Sequence, residues 1–134
     1  MKRRKFYASQ YAAILKDKKL LMLRDAEHGK LRGKWVFPGG HIDEETDTLS
    51  ALSREVKEET NLNLKSAAVF HTTIKKYPKG WTMIIYYKCK ATGKIRLDHE
   101  NDAYKWISSE DAKDMKFRDE GEKKIVSGLL GGKT

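Results

Sequence analysis

The 134-residue sequence has one cysteine, two prolines and no long hydrophobic run. Because a lone thiol, Cys89, cannot form an internal disulfide, a disulfide-stapled secreted scaffold is excluded and a cytoplasmic location is expected. The densest apolar stretch, residues 83–87, is far shorter than the roughly 18 residues of a membrane span, so we expect no membrane partner. The basic start at residues 1–5 is not followed by an apolar segment, so a signal peptide is not expected.

The charge balance is strongly basic. The chain has 28 Lys and Arg against 19 Asp and Glu, which gives a formal net charge of +9. A basic chain attracts anions such as nucleic acids, nucleotides and other phosphates. The distribution is uneven, because residues 43–60 contain seven acids and only two bases. An acidic segment within a basic chain indicates a local role for carboxylates.

The order of predicted elements indicates one domain over residues 1–134, with residues 1–5 as a flexible basic start. Alternating and β-rich stretches predict strands over 6–15, 20–23, 35–37, 64–77 and 81–91, near Ile95 and over 105–107. A short acidic helix is expected after Ser108 or Ser109, and a C-terminal helix over about 118–130. Strands that precede and follow a helix predict a mixed sheet with helices packed on it, of the α/β or α+β class.

A helix is predicted over about 47–60, because Leu49, Leu52 and Val56 have helical spacing. Asp47 is a good N-cap, and Asn61 can end the helix in the left-handed conformation.

Three glutamates of this helix, Glu55, Glu58 and Glu59, fall within an arc of roughly 100°. Carboxylates so close repel one another unless a cation neutralises them. Mg²⁺ prefers oxygen ligands and keeps positions for water and substrate phosphate. The spacing alone is equally consistent with a solvated acidic helix face.

The surrounding residues extend this pattern to a known motif. Residues 40–62, GHIDEETDTLSALSREVKEETNL, resemble the Nudix box of Nudix hydrolases, G-x5-E-x7-R-E-U-x-E-E-x-G-U, in which U is aliphatic. Matching residues are Gly40, Arg54, Glu55, Val56, Glu58, Glu59 and Leu62. The preceding residues 33–39 resemble the lead-in of MutT-like members.

The sequence departs from the box at two positions. Thr46 stands where a Glu is expected, with Glu45, one residue earlier, as a candidate substitute. Asn61 stands where a Gly is expected, and Asn tolerates the left-handed conformation.

The resemblance implies a Nudix-like α/β/α sandwich that hydrolyses a nucleoside diphosphate linked to another group, with Mg²⁺ or Mn²⁺ as cofactor. It implies Gly39, Glu55, Glu58 and Glu59 as metal ligands. It also implies that Glu55 and Glu59 are catalytic, with Glu55 the favoured general base. Arg54 would orient the glutamates, and Glu100 is a candidate fourth ligand or alternative base.

The substrate is less well defined. Arg24, Arg32 and Lys34 are candidate phosphate contacts, although each also fits a solvated surface residue. A nucleoside triphosphate or a modified one, cleaved to the monophosphate and pyrophosphate, is the favoured substrate. Alternatives are ADP-ribose, a pterin triphosphate or a dinucleoside polyphosphate. A nucleotide- or RNA-binding module without turnover is the alternative function.

Partners follow from the same interpretation. A small nucleotide-like anion is favoured over a long nucleic acid, and the sequence is compatible with a homodimer. Five aromatic residues are candidates for stacking on a base, although core packing is favoured for most of them: Trp35, Phe37, Trp81, Tyr86 and Trp106.

Overall fold

The computed structural model describes residues 5–43, 47–78 and 80–131. The basic start before Lys5, and the departure from the box at Thr46 with its neighbours Glu44 and Glu45, lie outside the described residues. The elements within them are β1 (Phe6–Lys16), β2 (Lys19–Asp25), a 3₁₀ turn (Gly29–Leu31), β3 (Trp35–Val36), β4 (Gly39–His41), α1 (Thr48–Thr60), β5 (Asn63–Tyr77), β6 (Gly80–Thr92), β7 (Asn101–Ile107), α2 (Ser109–Ala112) and α3 (Glu120–Leu129).

The strands form one mixed sheet, as predicted. Its main path runs in the order β3-β2-β1-β6-β5, while β4 pairs with β1 and β7 pairs with β2. β1 and β6 are parallel, with Phe6 opposite Trp81 and Ile14 opposite Cys89, and the other pairs are antiparallel. β1 therefore pairs with two antiparallel strands, because residues 9–11 pair with β4 and residues 15–16 pair with β2.

The two faces of the sheet carry separate cores, since successive side chains of a strand point to opposite faces. Tyr11 and Ala13 of β1 pack with residues of the α2 and α3 side, including Ala112, Phe117 and Val126. Ala12 and Ile14 pack with residues of the α1 side, including Leu52, Val56 and Leu62. Helices therefore cover both faces, and the α/β/α sandwich is confirmed.

Helix α1 has the predicted ends. The Asp47 carboxylate accepts hydrogen bonds from the Leu49 N–H at 3.2 Å and from the Ser50 hydroxyl at 2.6 Å. Asn61 follows the last turn with a φ of 68°, in the left-handed region. Leu52 and Val56 are fully buried, whereas Leu49 is 48% exposed, so two of the three residues with helical spacing reach the core. Leu49 lies in the first turn of the helix.

The structure also differs from the sequence prediction near Ile95 and at the start of the last helix. The strand near Ile95 is absent, because residues 94–98 have no regular structure and the Arg96 N–H bonds to the Thr60 carbonyl at 2.9 Å. Helix α3 begins at Glu120, since the Asp119 side chain caps it by accepting from the Glu122 N–H at 2.9 Å. Arg118 consequently lies in a loop. None of the helices in the described ranges has the length and hydrophobicity that a membrane crossing requires.

Candidate active site

A cleft of about 350 Å³ opens where β4, α1 and the loops before β3 and β7 meet. Residues far apart in the sequence line it, among them Gly39, Gly40, Glu55, Glu59 and Glu100. The fold therefore brings together, in one cleft, a glycine pair, two glutamates of α1 and the glutamate that precedes β7.

Glu59 is the buried carboxylate of this cleft. It is only 7% exposed, and its Oε2 accepts a hydrogen bond of 3.0 Å from the Gly39 N–H. Burial raises the pKa of Glu59 to about 9 against the opposing effect of that hydrogen bond, and the charges of Glu55, Asp98 and Glu100 raise it further. A carboxylate in this setting stays ionised only beside a cation, so the donor set fits a divalent metal.

Gly39 can be only a glycine. Its φ is 142°, and a Cβ there would lie 2.2 Å from the Gln10 carbonyl oxygen and 2.8 Å from the Tyr11 Cα. A side chain would therefore push β4 off β1. Gly40 is less constrained, because a Cβ would come no closer than 3.5 Å, to Oε2 of Glu55.

Arg54 links the other two glutamates of α1. Its Nη1 donates to both carboxylate oxygens of Glu58, at 3.1 and 3.2 Å, and its Nη2 lies 3.3 Å from Oε1 of Glu55. The Glu55 side chain is 23% exposed, whereas that of Glu58 is 56% exposed. Glu58 is thus the more exposed of these two glutamates, and it is not among the residues that line the cleft.

A histidine that the sequence pattern left unassigned also lines the cleft. The buried Asp25 carboxylate accepts hydrogen bonds from the backbone N–H groups of Glu27 and His28, at 2.9 and 2.8 Å, and pairs with His28 Nδ1 at 2.7 Å. The hydrogen bond to Asp25 raises the pKa of His28. Burial opposes ionisation of Asp25, but the hydrogen bonds from His28 and Glu27 hold its pKa below the usual range. Ligand atoms of Glu27, His28 and Glu100 lie within 4.8 Å of one another, a proximity that no sequence spacing could reveal.

A second cavity of about 630 Å³ adjoins the cleft. The two share Tyr11, His41, Asp43 and Arg118. Its other walls come from the start of β1, the β5–β6 turn and β6, with these lining residues: Tyr7, Ser9, Tyr77, Pro78, Gly80, Thr82 and Ile84. The tyrosines were not singled out from the sequence. Of the five aromatic candidates, Phe37 lines the cleft.

The three basic residues expected at the phosphates lie elsewhere. Arg24 pairs with Asp102 at 2.7 Å and lies over the Trp35 ring. Lys34 lines a separate depression beside Phe117, and Arg32 is exposed after the 3₁₀ turn. None of the three lines the cleft or the adjoining cavity.

Comparison with known proteins agrees with this architecture. The NUDIX domain model matches residues 7–127. The chain is 32% identical over 84 residues to the asymmetrical bis(5'-nucleosyl)-tetraphosphatase of Caenorhabditis elegans, which covers 58% of this chain and 61% of that protein. It is 28% identical over 104 residues to the 8-oxo-dGTP diphosphatase of Buchnera aphidicola, with 78% of each covered. The MutT protein from Methanosarcina mazei Go1 superposes with a TM-score of 0.80 at 22% identity, over 96% of each chain.

The chain therefore belongs to the Nudix family, and its fold is similar to that of MutT proteins. It spans less than two thirds of two C. elegans relatives that it matches. It covers 28% of the protein named putative nudix hydrolase 1 and 61% of the tetraphosphatase.

Proposed function

We propose that this protein is a metal-dependent pyrophosphohydrolase that converts a nucleoside triphosphate, or a modified one, into the monophosphate and pyrophosphate. The observation that carries the proposal is the cleft in which buried Glu59 lies with Glu55 and Glu100, open to a tyrosine-walled cavity. The names of the relatives, a dinucleoside tetraphosphatase and an 8-oxo-dGTP diphosphatase, support a nucleotide anhydride as substrate.

The residues that would hold the metal are Glu55, Glu59 and the Gly39 carbonyl, with Glu58 at the rim and Glu100 as a further ligand. Carboxylate and carbonyl oxygens suit Mg²⁺, with Mn²⁺ as the alternative. When bound, such an ion neutralises the pyrophosphate charge and lowers the pKa of a water molecule.

Glu55 is the residue we favour as general base. It lines the cleft and its carboxylate is held by Arg54, so it is positioned to accept a proton from water. Attack of that water on phosphorus breaks one P–O–P bond, and the leaving phosphate takes the electron pair. Glu100, which lines the same cleft from the loop before β7, is the alternative base.

The adjoining cavity is where we place the nucleoside. Its volume of about 630 Å³ falls within the roughly 300–1,000 Å³ of small-molecule pockets. Tyr7, Tyr11 and Tyr77 can offer ring surfaces to a flat base, whereas the carboxylate-lined cleft would suit phosphates whose charge a bound metal would neutralise. A small nucleotide fits this pair of cavities better than a long nucleic acid.

We also place the protein in the cytoplasm. Cys89 is a free, buried thiol, and burial raises the pKa of this thiol to about 12. An inert, unpaired cysteine suits a reducing compartment.

The test is hydrolysis of a nucleotide panel in heavy-oxygen water, with and without Mg²⁺ or Mn²⁺. We expect metal-dependent release of pyrophosphate, and the labelled product identifies the phosphorus that was attacked. Glu55→Gln and Glu59→Gln should each lower turnover by at least about 100-fold, whereas Glu120→Gln, an exposed residue at the start of α3, should not. Salt-sensitive binding to RNA without turnover of any nucleotide would instead favour a binding module.

A further inference from the structure

Two histidines and two glutamates lie together where the loop after β2 meets the loop before β7. Ligand atoms of Glu27, His28 and Glu100 lie within 4.8 Å of one another. Nε2 of His99, the residue before Glu100, lies 3.7 Å from Oε1 of Glu27. These four residues form the loop cluster, in which two imidazole rings and two carboxylates are neighbours.

The backbone holds the two loops against each other. The Ala26 N–H donates a hydrogen bond of 2.8 Å to the Glu100 carbonyl, and Asp25 pairs with Asn101 in the β2–β7 ladder. The Asp98 carboxylate accepts hydrogen bonds from the Glu100 N–H at 3.2 Å and from the Asn101 amide at 3.4 Å. The fold thus fixes the main chain of the loop cluster, and a ligand would have to order only side chains.

The ring of His28 is held by a carboxylate that lies outside the cluster. The buried Asp25 side chain pairs with Nδ1 of His28 at 2.7 Å and accepts from the His28 backbone N–H at 2.8 Å. With Nδ1 engaged, Nε2 is the ring nitrogen that can bind a metal. Histidines that ligate metals almost always donate their other ring N–H to such a partner, which fixes the tautomer and the orientation of the ring. The Asp25–His28 pair therefore points to a metal ligand at Nε2.

The charge around His28 favours a cation over a phosphate. The hydrogen bond to Asp25, together with the charges of Asp25, Glu100 and Glu27, raises the pKa of His28. Carboxylates so close to one ring repel an anion and attract a divalent cation. Imidazole nitrogen combined with carboxylate oxygen suits Zn²⁺ and Co²⁺, whereas Mg²⁺ prefers oxygen ligands alone.

The spacing of the side chains is compatible with one ion. In a tetrahedral zinc site with metal–ligand distances of about 2.0–2.2 Å, the ligand atoms lie about 3.4 Å apart. The distance of 3.7 Å between His99 and Glu27 is already close to this value. The others, of up to 4.8 Å, need small rotations of side chains. Because Glu27, His28 and His99 are exposed, such rotations meet little steric resistance.

We propose that Glu27, His28, His99 and Glu100 form a binding site for Zn²⁺ beside the catalytic cleft, separate from the metal held by the glutamates of α1. The ion would be bound by two nitrogens and two oxygens. Because Glu100 also lines the cleft, Zn²⁺ at the loop cluster would withdraw this carboxylate from catalysis and lower turnover. That consequence for turnover rests on the proposed function, whereas the binding site itself does not.

Isothermal titration calorimetry with ZnCl₂ in excess MgCl₂ measures the site, because Mg²⁺ competes for carboxylates far better than for imidazole. We expect one Zn²⁺ per chain under these conditions. His28→Gln and His99→Gln should each weaken Zn²⁺ binding by at least about 10-fold. His71→Gln, which changes an exposed histidine of β5, is the matched control and should bind like the wild type. Equal affinity in all three variants, or no binding to the wild type, would overturn the proposal.

The ring signals of the histidines give a second, independent measurement. On addition of ZnCl₂, the NMR resonances of the His28 and His99 rings should shift, and those of His71 should not. If His28 only forms an ion pair with the surrounding carboxylates, neither cluster ring will respond to Zn²⁺ and the inference fails. Asp25→Asn should weaken Zn²⁺ binding by about 10- to 100-fold. If this variant does not fold, the variants of the two exposed histidines decide.

Turnover is tested separately from binding. Zn²⁺ should inhibit Mg²⁺-dependent hydrolysis by the wild type, and His99→Gln should need at least about 10-fold more Zn²⁺ for the same inhibition. His99 is not among the residues that line the cleft, so its loss should leave hydrolysis without Zn²⁺ unchanged. Equal inhibition of wild type and variant would contradict control through this site. If no nucleotide is hydrolysed, the proposed function fails, and the calorimetry still decides whether the zinc site exists.

Discussion

The backbone N–H of Gly39 donates a hydrogen bond of 3.0 Å to Oε2 of Glu59. This bond joins the edge of β4 to the last turn of α1, so the position of the buried carboxylate is set by the backbone of a glycine. Because Gly39 also lies against the backbone of β1, the central sheet positions Glu59 through one residue.

Gly39→Ala should destabilise the protein by at least about 3 kcal/mol, since its Cβ would overlap the Gln10 carbonyl at an unfavourable φ. Gly40→Ala is the matched control and should stay within about 1 kcal/mol of the wild type. Urea denaturation of both variants measures the difference. Equal stabilities would show that β4 can move away from β1 at little cost.

Glu59→Gln should separate stability from metal binding. Burial raises the pKa of Glu59 to about 9, so a neutral Gln side chain should cost the metal-free protein no stability. The melting temperature of the metal-free variant should therefore equal or exceed that of the wild type. The wild type should gain thermal stability on addition of Mn²⁺, and the variant should lose most of that gain. Glu58→Gln, which changes the more exposed glutamate, should lose less of this gain in thermal stability. Equal losses in the two variants would contradict the different placement of these glutamates.

Arg54→Lys should lower kcat/KM by about 10- to 100-fold with little change in melting temperature. Lysine cannot reproduce the fork that contacts Glu55 and both oxygens of Glu58. Steady-state kinetics with the best substrate of the panel, alongside circular dichroism melting, measures both quantities. Unchanged kinetics would show that Arg54 does not orient these carboxylates.

His28 should titrate above the ordinary histidine value of about 6.5, because the Asp25 carboxylate accepts a hydrogen bond from Nδ1 of the protonated imidazole. NMR titration of the metal-free protein should show this shift, and Asp25→Asn should return the His28 pKa toward 6.5.

The same pair predicts how stability depends on pH. Asp25 has a lowered pKa, so its contribution to the stability of the fold is lost as the pH falls through that pKa. His28 has a raised pKa, so its contribution is lost as pH rises through that value. Asp25→Asn should therefore lower the free energy of unfolding by about 1–3 kcal/mol at pH values between the two pKa values, and by less at lower pH. A cost that does not vary with pH would exclude this ion pair as its source.

Asn61 tests the second departure from the box. With a φ of 68°, Asn61→Ala should cost about 1 kcal/mol, whereas Asn61→Gly, which restores the expected residue, should stay within about 0.5 kcal/mol. The Asn61 amide donates to the Lys94 carbonyl at 3.1 Å, which offsets part of the advantage of glycine. Chemical denaturation of both variants gives the two values, and a costlier Gly variant would mean that this bond outweighs the backbone conformation.

Much of the fold could be predicted because its determinants are local. Asp47 and Asn61 mark the ends of α1 through hydrogen bonds and a backbone conformation that involve adjacent residues. The strands of the β5–β6 hairpin were predicted from their own β-formers. Ile95 shows the limit, since its short apolar pattern suits a strand, but the nearest acceptor for the neighbouring Arg96 N–H is the end of α1.

The sequence by itself determined the family, the helix that carries the glutamates and their spacing on one face. Tertiary structure alone decided that Glu59 is buried while Glu58 faces solvent, that His28 and Glu100 share a cleft, and that Arg118 rather than Arg24 faces the cavities. The physical reason is that spacing and capping act within one or two helical turns. Burial and the meeting of loops depend on strand pairings such as β1 with β6, whose residues lie far apart in the chain.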